Sequence, residues 1–358
     1  MIHDSLTRQL AEDNLALCAI PSETGDEAAL CDWLEARLAV MPHLRVRRHG
    51  EAIVACTAHD PLCPTIGLFG HTDTVKAAGD QPLEIRDNRV YGCGASDMKG
   101  GLAVMLALLA AHDPQQHPNL VAVFYDREEG PVIDNGLEPL LAGGHIPKLD
   151  FAVCLEPTDN QIQMGCVGGL HAVLRFEGQR AHSARPWQGA SAISRALPFL
   201  QRLANQERVP VQYGDLTFYE VMTATTAHTH NSRNVVPDSF EVNVNYRFAP
   251  HRTLASAKDA LLAMVGDEAV VTIVDEAPAG QVCLDDPTLT RWVARTGLRI
   301  EPKQAWTDVA RLSARGIPAV NFGPGETAQA HQARESVPIA ALRRSYDDLL
   351  GLLVRHGD

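Results

Sequence analysis

Three continuous apolar runs, at residues 65–69, 120–125 and 151–155, constrain this chain more than any other feature. A strand that is apolar at every position has both faces covered, as in the centre of a parallel sheet. Segments with helical spacing of apolar residues alternate with these runs, at 5–18, 26–40, 98–111 and 135–142. That alternation predicts an α/β sheet with helices on both faces. Each run ends in a side chain able to hold a metal: His71 after the first, Glu128 and Glu129 after the second, Glu156 after the third. Ligands of open α/β sheets sit beyond the carboxyl ends of the strands.

The stretch 69–101 carries two motifs. Gly-His-Thr-Asp-Thr at 70–74 places His71 and Asp73 two residues apart, on one side of an extended segment. Gly-Cys-Gly-Ala-Ser-Asp-Met-Lys-Gly-Gly at 92–101 places Asp97 in a glycine-rich turn that opens an apolar helix. Imidazole and carboxylate together suit a zinc-type ion. Asp73, next to His71, suits the role of fixing its tautomer. Two rival readings fail on residues. A dinucleotide fingerprint needs a glycine where Asp97 stands, and a P-loop needs Ser or Thr where Gly100 follows Lys99. Taken singly, His-x-Asp also fits a surface pair, Glu128–Glu129 a solvated acidic turn, and His331 an ordinary loop histidine.

Composition bounds the rest. The 358 residues suit two domains, and 45% hydrophobic content is ample for packed cores. The net charge of −13 argues against nucleic acid and anionic membrane as partners. No apolar run reaches the ~20 residues of a membrane span. The opening stretch, 1–10, lacks a basic-then-apolar secretory pattern, and eight cysteines are scattered without Cys-x-x-Cys. Both point to the cytoplasm, with thiols kept reduced.

From residue 165 the texture changes. Strand, helix, strand, strand, helix and strand follow one another up to residue 274, with clean alternation at 240–248. This order predicts an inserted ferredoxin-like α+β domain. The expected division is 1–167 for the first part of the catalytic domain, 168–279 for the insertion, and 280–358 for the second part.

Combined, His71, Asp97, Glu129, Glu156 and His331 can serve two metals. One division gives His71 and Glu156 to the first ion and Glu129 and His331 to the second, with Asp97 shared. Two dications against three carboxylates leave one charge for a shared hydroxide. Glu128 is assigned as general base. Neighbouring residues of an extended strand point opposite ways, which would separate it from Glu129.

These motifs, with Leu-Glu-Pro-Thr at 155–158, Arg-Ala-His-Ser-Ala-Arg-Pro at 180–186 and the late glycine loop before His331, resemble the di-zinc amidohydrolases. That family includes succinyl-diaminopimelate desuccinylases, acetylornithine deacetylases and glutamate carboxypeptidases. Segments 243–250, 306–311 and 319–325 are similar to the actinobacterial desuccinylase group. The resemblance implies a di-zinc exopeptidase-like catalytic domain with a mixed central sheet, two Zn2+ per subunit with Co2+ as a possible substitute, and a homodimer formed through the insertion. It implies release of succinate from N-succinyl-LL-2,6-diaminopimelate. Another N-acyl amino acid deacylase or a di- or carboxypeptidase would share the metal set; a non-catalytic metal-binding protein is the reading from another class. His182 matches a histidine that reaches the partner's active site, where it would help stabilise an oxyanion. Asn234 and Arg247 match substrate-carboxylate ligands, and Arg185 and Arg311 are weaker candidates. Gly168-Gly169-Leu170 stands where better-known desuccinylases carry Arg-Gly-Ser, so one arginine of the acyl pocket is absent.

Overall fold

The computed structural model describes residues 4–79 and 81–355. The first three residues of the stretch read for a targeting segment, and the last three of the 280–358 span, lie outside the described residues. The chain divides into two compact units: Met1–Met164 with Cys283–Glu301 and Arg311–Asp358, and Gly165–Val282 with Pro302–Ala310.

The first unit is built on a mixed sheet of eight strands. Its middle is parallel, with Thr65–His71 between Asn119–Tyr125 and Phe151–Cys154, and Ala319–Asn321 beyond the last. Every residue of these four strands is buried, so the continuous apolar runs mark the centre of the sheet. Arg45–His49 and Ala52–Cys56 extend it antiparallel on one side. The helix Lys99–Ala110 is buried at all but its last residue. Its approach to the sheet depends on Gly70, where a Cβ would stand 2.5 Å from Leu102 Cδ2 and 2.8 Å from Met98 Cε.

The second unit is a five-stranded antiparallel sheet in the order Val209–Tyr213, Leu216–His228, Ser239–Phe248, Gly168–Glu177, Val270–Ala277. Phe240, Val242, Val244, Tyr246 and Phe248 share one face and bury against the helices Ala192–Ala204 and Leu254–Val265. The alternation at 240–248 is thus realised as a strand with one covered face. Val209–Tyr213 is an addition to the predicted order. It is a short edge strand carrying Pro210, whose missing N–H is tolerated there.

Pro302–Ala310 packs with the second unit, whereas the sequence division placed it with the first. Trp306 donates its indole N–H to Pro278 O at 3.1 Å. The Gln304 amide accepts from Tyr219 N at 3.0 Å and donates to Tyr219 O at 2.6 Å, as one residue of a paired strand would.

Candidate metal centre

His71 closes the central strand, and its ring is 1% exposed. Its Nδ1 lies 3.0 Å from the Asp73 main-chain oxygen and 3.4 Å from the Asp73 carboxylate. A proton on Nδ1 therefore goes to the carbonyl at hydrogen-bond distance, which turns Nε2 into the site as an acceptor. So Asp73 orients His71 through its backbone first. Burial disfavours the charged imidazole, yet hydrogen bonds to Asp73 and Asp97 and the charge of Glu128 raise its pKa well above the ordinary value.

The Asp73 carboxylate has a further role that sequence reasoning missed. It accepts the backbone N–H of Glu128 at 2.9 Å and of Glu129 at 3.0 Å, and the Thr24 hydroxyl at 2.9 Å. Burial acts to raise its pKa, but the His71 ring and these backbone donors win and hold it low. Thr24 enters through a parallel bridge between Glu23 and Thr74, a long-range pairing with no local sequence signal.

Glu128 and Glu129 do not occupy an extended strand. The strand ends at Tyr125, and Arg127 adopts φ 58°, so the chain bends before the pair. One oxygen of each carboxylate lies within 4.8 Å of the other and of a His71 nitrogen. The expectation that the neighbours point apart fails because its condition, an extended backbone, is not met.

Asp97 sits between two imidazoles. Its Oδ1 is 3.4 Å from His71 Nε2, and its Oδ2 is 3.6 Å from His331 Nε2. His331, half exposed and at φ 62°, also places Nε2 at 2.8 Å from Glu129 Oε1. The hydrogen bond to Glu129 pushes the His331 pKa up to about 9. Glu156, 6% exposed, completes the group around His71. The five expected ligands therefore form two sets, His71–Asp97–Glu156 and Asp97–Glu129–His331, each with its ligand atoms within 4.8 Å of one another.

Glu335 holds Asp97 in place and was not anticipated. Its buried carboxylate accepts the backbone N–H groups of Gly94, Ser96 and Asp97, each at 2.8 Å. Burial, with help from the Asp97 charge, pushes its pKa up to about 7 against those three bonds. Nothing in its spacing marks it, because its partners lie more than two hundred residues away.

The donor set fits divalent cations. Asp73, Asp97, Glu128, Glu129 and Glu156 gather round two imidazoles, and such density of carboxylate in a buried pocket calls for positive charge. The buried Lys99 turns its ammonium to Ile20 O at 2.9 Å and is one charge against five carboxylates. His71 Nε2 is buried, and its contact with Asp97 Oδ1 at 3.4 Å is too long to satisfy it well. A tetrahedral zinc with ~2.0–2.1 Å bonds spaces its ligand atoms about 3.3–3.4 Å apart, close to the His71–Asp97 separation.

Residues 67–354 match one protein-family description over most of the chain. The chain belongs to peptidase family M20/M25/M40. This M20 chain is 37% identical over 337 residues to a Mycobacterium tuberculosis protein provisionally named succinyl-diaminopimelate desuccinylase DapE, covering 93% of this chain and 94% of that one. It is 35% identical over 345 residues to the succinyl-diaminopimelate desuccinylase of Corynebacterium glutamicum, covering 90% of each. A tripeptidase structure from Staphylococcus aureus shares the M20 fold, with a TM-score of 0.78 at 20% identity over 97% of both chains. The protein is thus an M20 metallohydrolase with the α/β architecture and separate antiparallel sheet expected from its sequence.

The remaining expected residues lie in the second unit. His182 is exposed, and its Nδ1 accepts Ala184 N at 3.1 Å. Ala181–His182 pairs with Val235–Val236, and Ser183 N donates to Asn234 O at 2.9 Å, so His182 and Asn234 are neighbours. Arg247 is half-buried on the sheet face away from the helices. Gly169 opposes it in register, and a Cβ there would meet Arg247 Nη1 at 2.9 Å. The glycine in Gly168-Gly169-Leu170 thus leaves room for this guanidinium. Arg185 is exposed. Arg311, in the first unit, pairs with Glu138 at 3.0 Å and donates to Val132 O at 2.6 Å, which is a structural engagement.

Proposed function

We propose that this M20 chain is a two-metal amide hydrolase that converts N-succinyl-LL-2,6-diaminopimelate to succinate and LL-2,6-diaminopimelate. Asp97 carries the reading: the two oxygens of one carboxylate face two different imidazoles. The choice of substrate is supported by the names of the two relatives above, each similar over nine-tenths of the chain.

In this reading His71, Asp97 and Glu156 hold one zinc ion, and Asp97, Glu129 and His331 hold the other, with Co2+ as a substitute. Bound there, the pair supplies Lewis acidity for the amide carbonyl and a water acidic enough to attack near neutral pH. Glu128 takes the proton of the attacking water and returns it to the leaving nitrogen. The Asp73 carboxylate holds the Glu128 and Glu129 amides, and so keeps the base aimed. His182 donates to the oxyanion of the tetrahedral intermediate, where a positioned donor contributes most. Asn234 and Arg247 bind substrate carboxylates, Arg247 through its planar fork. The protein works as a homodimer joined through its second unit, and His182 serves the partner subunit.

A panel of N-succinyl, N-acetyl and peptide amides, tested on the zinc-loaded protein, decides the substrate. Succinate release from N-succinyl-diaminopimelate is the expected result. Turnover of N-acetylornithine or of dipeptides in its place would replace the named substrate, and hydrolysis of no amide would overturn the catalytic reading.

A further inference from the structure

A second cluster of ligand-type side chains lies outside the catalytic group. His228 ends the strand Leu216–His228, and Glu241 stands directly opposite it on Ser239–Phe248. His228 Nε2 is 3.3 Å from Glu241 Oε2. His230 follows two residues on, and its ring centroid is 4.8 Å from that of His228. One nitrogen of each ring and one Glu241 oxygen all lie within 4.8 Å of one another.

An ion pair accounts for His228 and Glu241 but not for His230. The 3.3 Å separation is already that of two ligand atoms on one tetrahedral zinc, about 3.3–3.4 Å. Among the described residues no lysine or arginine forms an ion pair with Glu241. The chain beyond His230 is tied down: Asn231 donates its amide to Ser232 O at 3.0 Å and to Val235 O at 2.9 Å. That tether limits how far His230 can swing away. Both histidines are exposed, which leaves the remaining coordination positions open to water.

We propose that His228, His230 and Glu241 form a peripheral site for a borderline transition-metal cation such as Zn2+, Ni2+ or Cu2+. Two imidazoles and one carboxylate favour that class over Mg2+ or Ca2+, which prefer oxygen ligands. The ion cross-links the end of one strand to its neighbour and fixes the turn leading to Asn234 and Val235–Val236. The site goes beyond the proposed hydrolysis and does not depend on it.

The test uses the full-length protein, stripped with a chelator and reloaded with Zn2+ at pH 7.5. Metal content is measured after gel filtration for the wild type and for His228→Ala/His230→Ala. The double variant is expected to hold one zinc fewer per chain; equal content would overturn the site. Electron paramagnetic resonance of added Cu2+ gives an independent readout. A nitrogen-coordinated signal should persist in Asp97→Asn, which disables the catalytic group, and vanish when His228→Ala/His230→Ala is added. Loss of the signal in Asp97→Asn alone, or its survival in the triple variant, would also overturn the proposal. Glu241→Gln keeps size and shape, and should weaken Zn2+ retention while leaving the melting temperature of the metal-free protein near that of the wild type. Unchanged retention would remove Glu241 from the site.

Discussion

At the residue scale, one bend decides what Glu128 and Glu129 can do. Arg127 turns the chain out of the strand, so both carboxylates reach the His71 pocket and their division of labour rests on partners. Glu129 contacts His331, whereas Glu128 is the proposed base. Glu128→Gln should therefore lower turnover by about 10²–10⁴-fold, the usual worth of general acid–base catalysis. Metal content should stay at the wild-type level; retained turnover would remove Glu128 from the reaction. His331 gives a pH prediction. Its folded pKa of about 9 lies above the ordinary 6.5, so its pairing stabilises the metal-free protein fully below 6.5 and not above 9. Half exposure keeps that contribution small. Metal affinity runs the other way, because an ion must displace the proton. Affinity should rise with pH across this window, by up to about ten-fold per pH unit for that proton, and then level off. Chelator competition at a series of pH values reads this directly, and a flat profile would exclude His331 as a ligand. The candidates that meet in the pocket were legible in the sequence, because His71, Glu129 and Glu156 followed apolar runs and Asp97 and His331 stood in glycine-rich turns or loops. The supporting residues, Thr24 against Asp73 and Glu335 against the Asp97 loop, were not, because their contacts join distant segments without a local pattern.

At the element scale, the turn before the helix Lys99–Ala110 is fastened by one distant side chain. Glu335 gathers three backbone N–H groups of the Asp97 loop. Glu335→Ala leaves those donors without their acceptor, and each buried donor left unmet costs about 1–3 kcal/mol. The melting temperature should fall, and since Asp97 belongs to both ligand sets, both metals should bind more weakly. A fall in stability with wild-type affinity for both ions would show that Glu335 does not position Asp97. Gly70→Ala tests the contact between the same helix and the sheet. Overpacking against Leu102 and Met98 should cost about 1–3 kcal/mol in chemical denaturation; no loss would mean the helix can shift. Long periodic elements were legible: the first helix is Ser5–Cys18, as its spacing indicated, and alternation marked Ser239–Phe248. Ile162–Met164 and Ile300–Pro302 were missed because three residues cannot display a period.

At the scale of the whole molecule, the interruption of one texture by another was visible in the sequence, but the return of Pro302–Ala310 to the second unit was not. That return depends on Gln304 filling a backbone vacancy beside Tyr219 and on Trp306 reaching Pro278, and such contacts leave no periodic trace. The proposed catalytic residues are split in the same way: the five candidate ligands around Asp97 belong to the first unit, and His182 to the second. Under the proposed homodimer, a complete catalytic set takes Glu128 from one protomer and His182 from its partner. Glu128→Gln and His182→Ala protomers are each defective alone, by loss of the base and of the oxyanion donor. Dissociated and reassociated at equal amounts, they should form mixed dimers in about half of the population. In a mixed dimer, one site would combine an intact Glu128 with an intact His182, and the other would have neither. Turnover should then recover to about one quarter of the wild-type level. If each His182 served its own protomer, no site in the mixture would hold both groups and no recovery would follow. Wild-type metal content in both variants is the accompanying control, because it separates a missing donor from a lost ion.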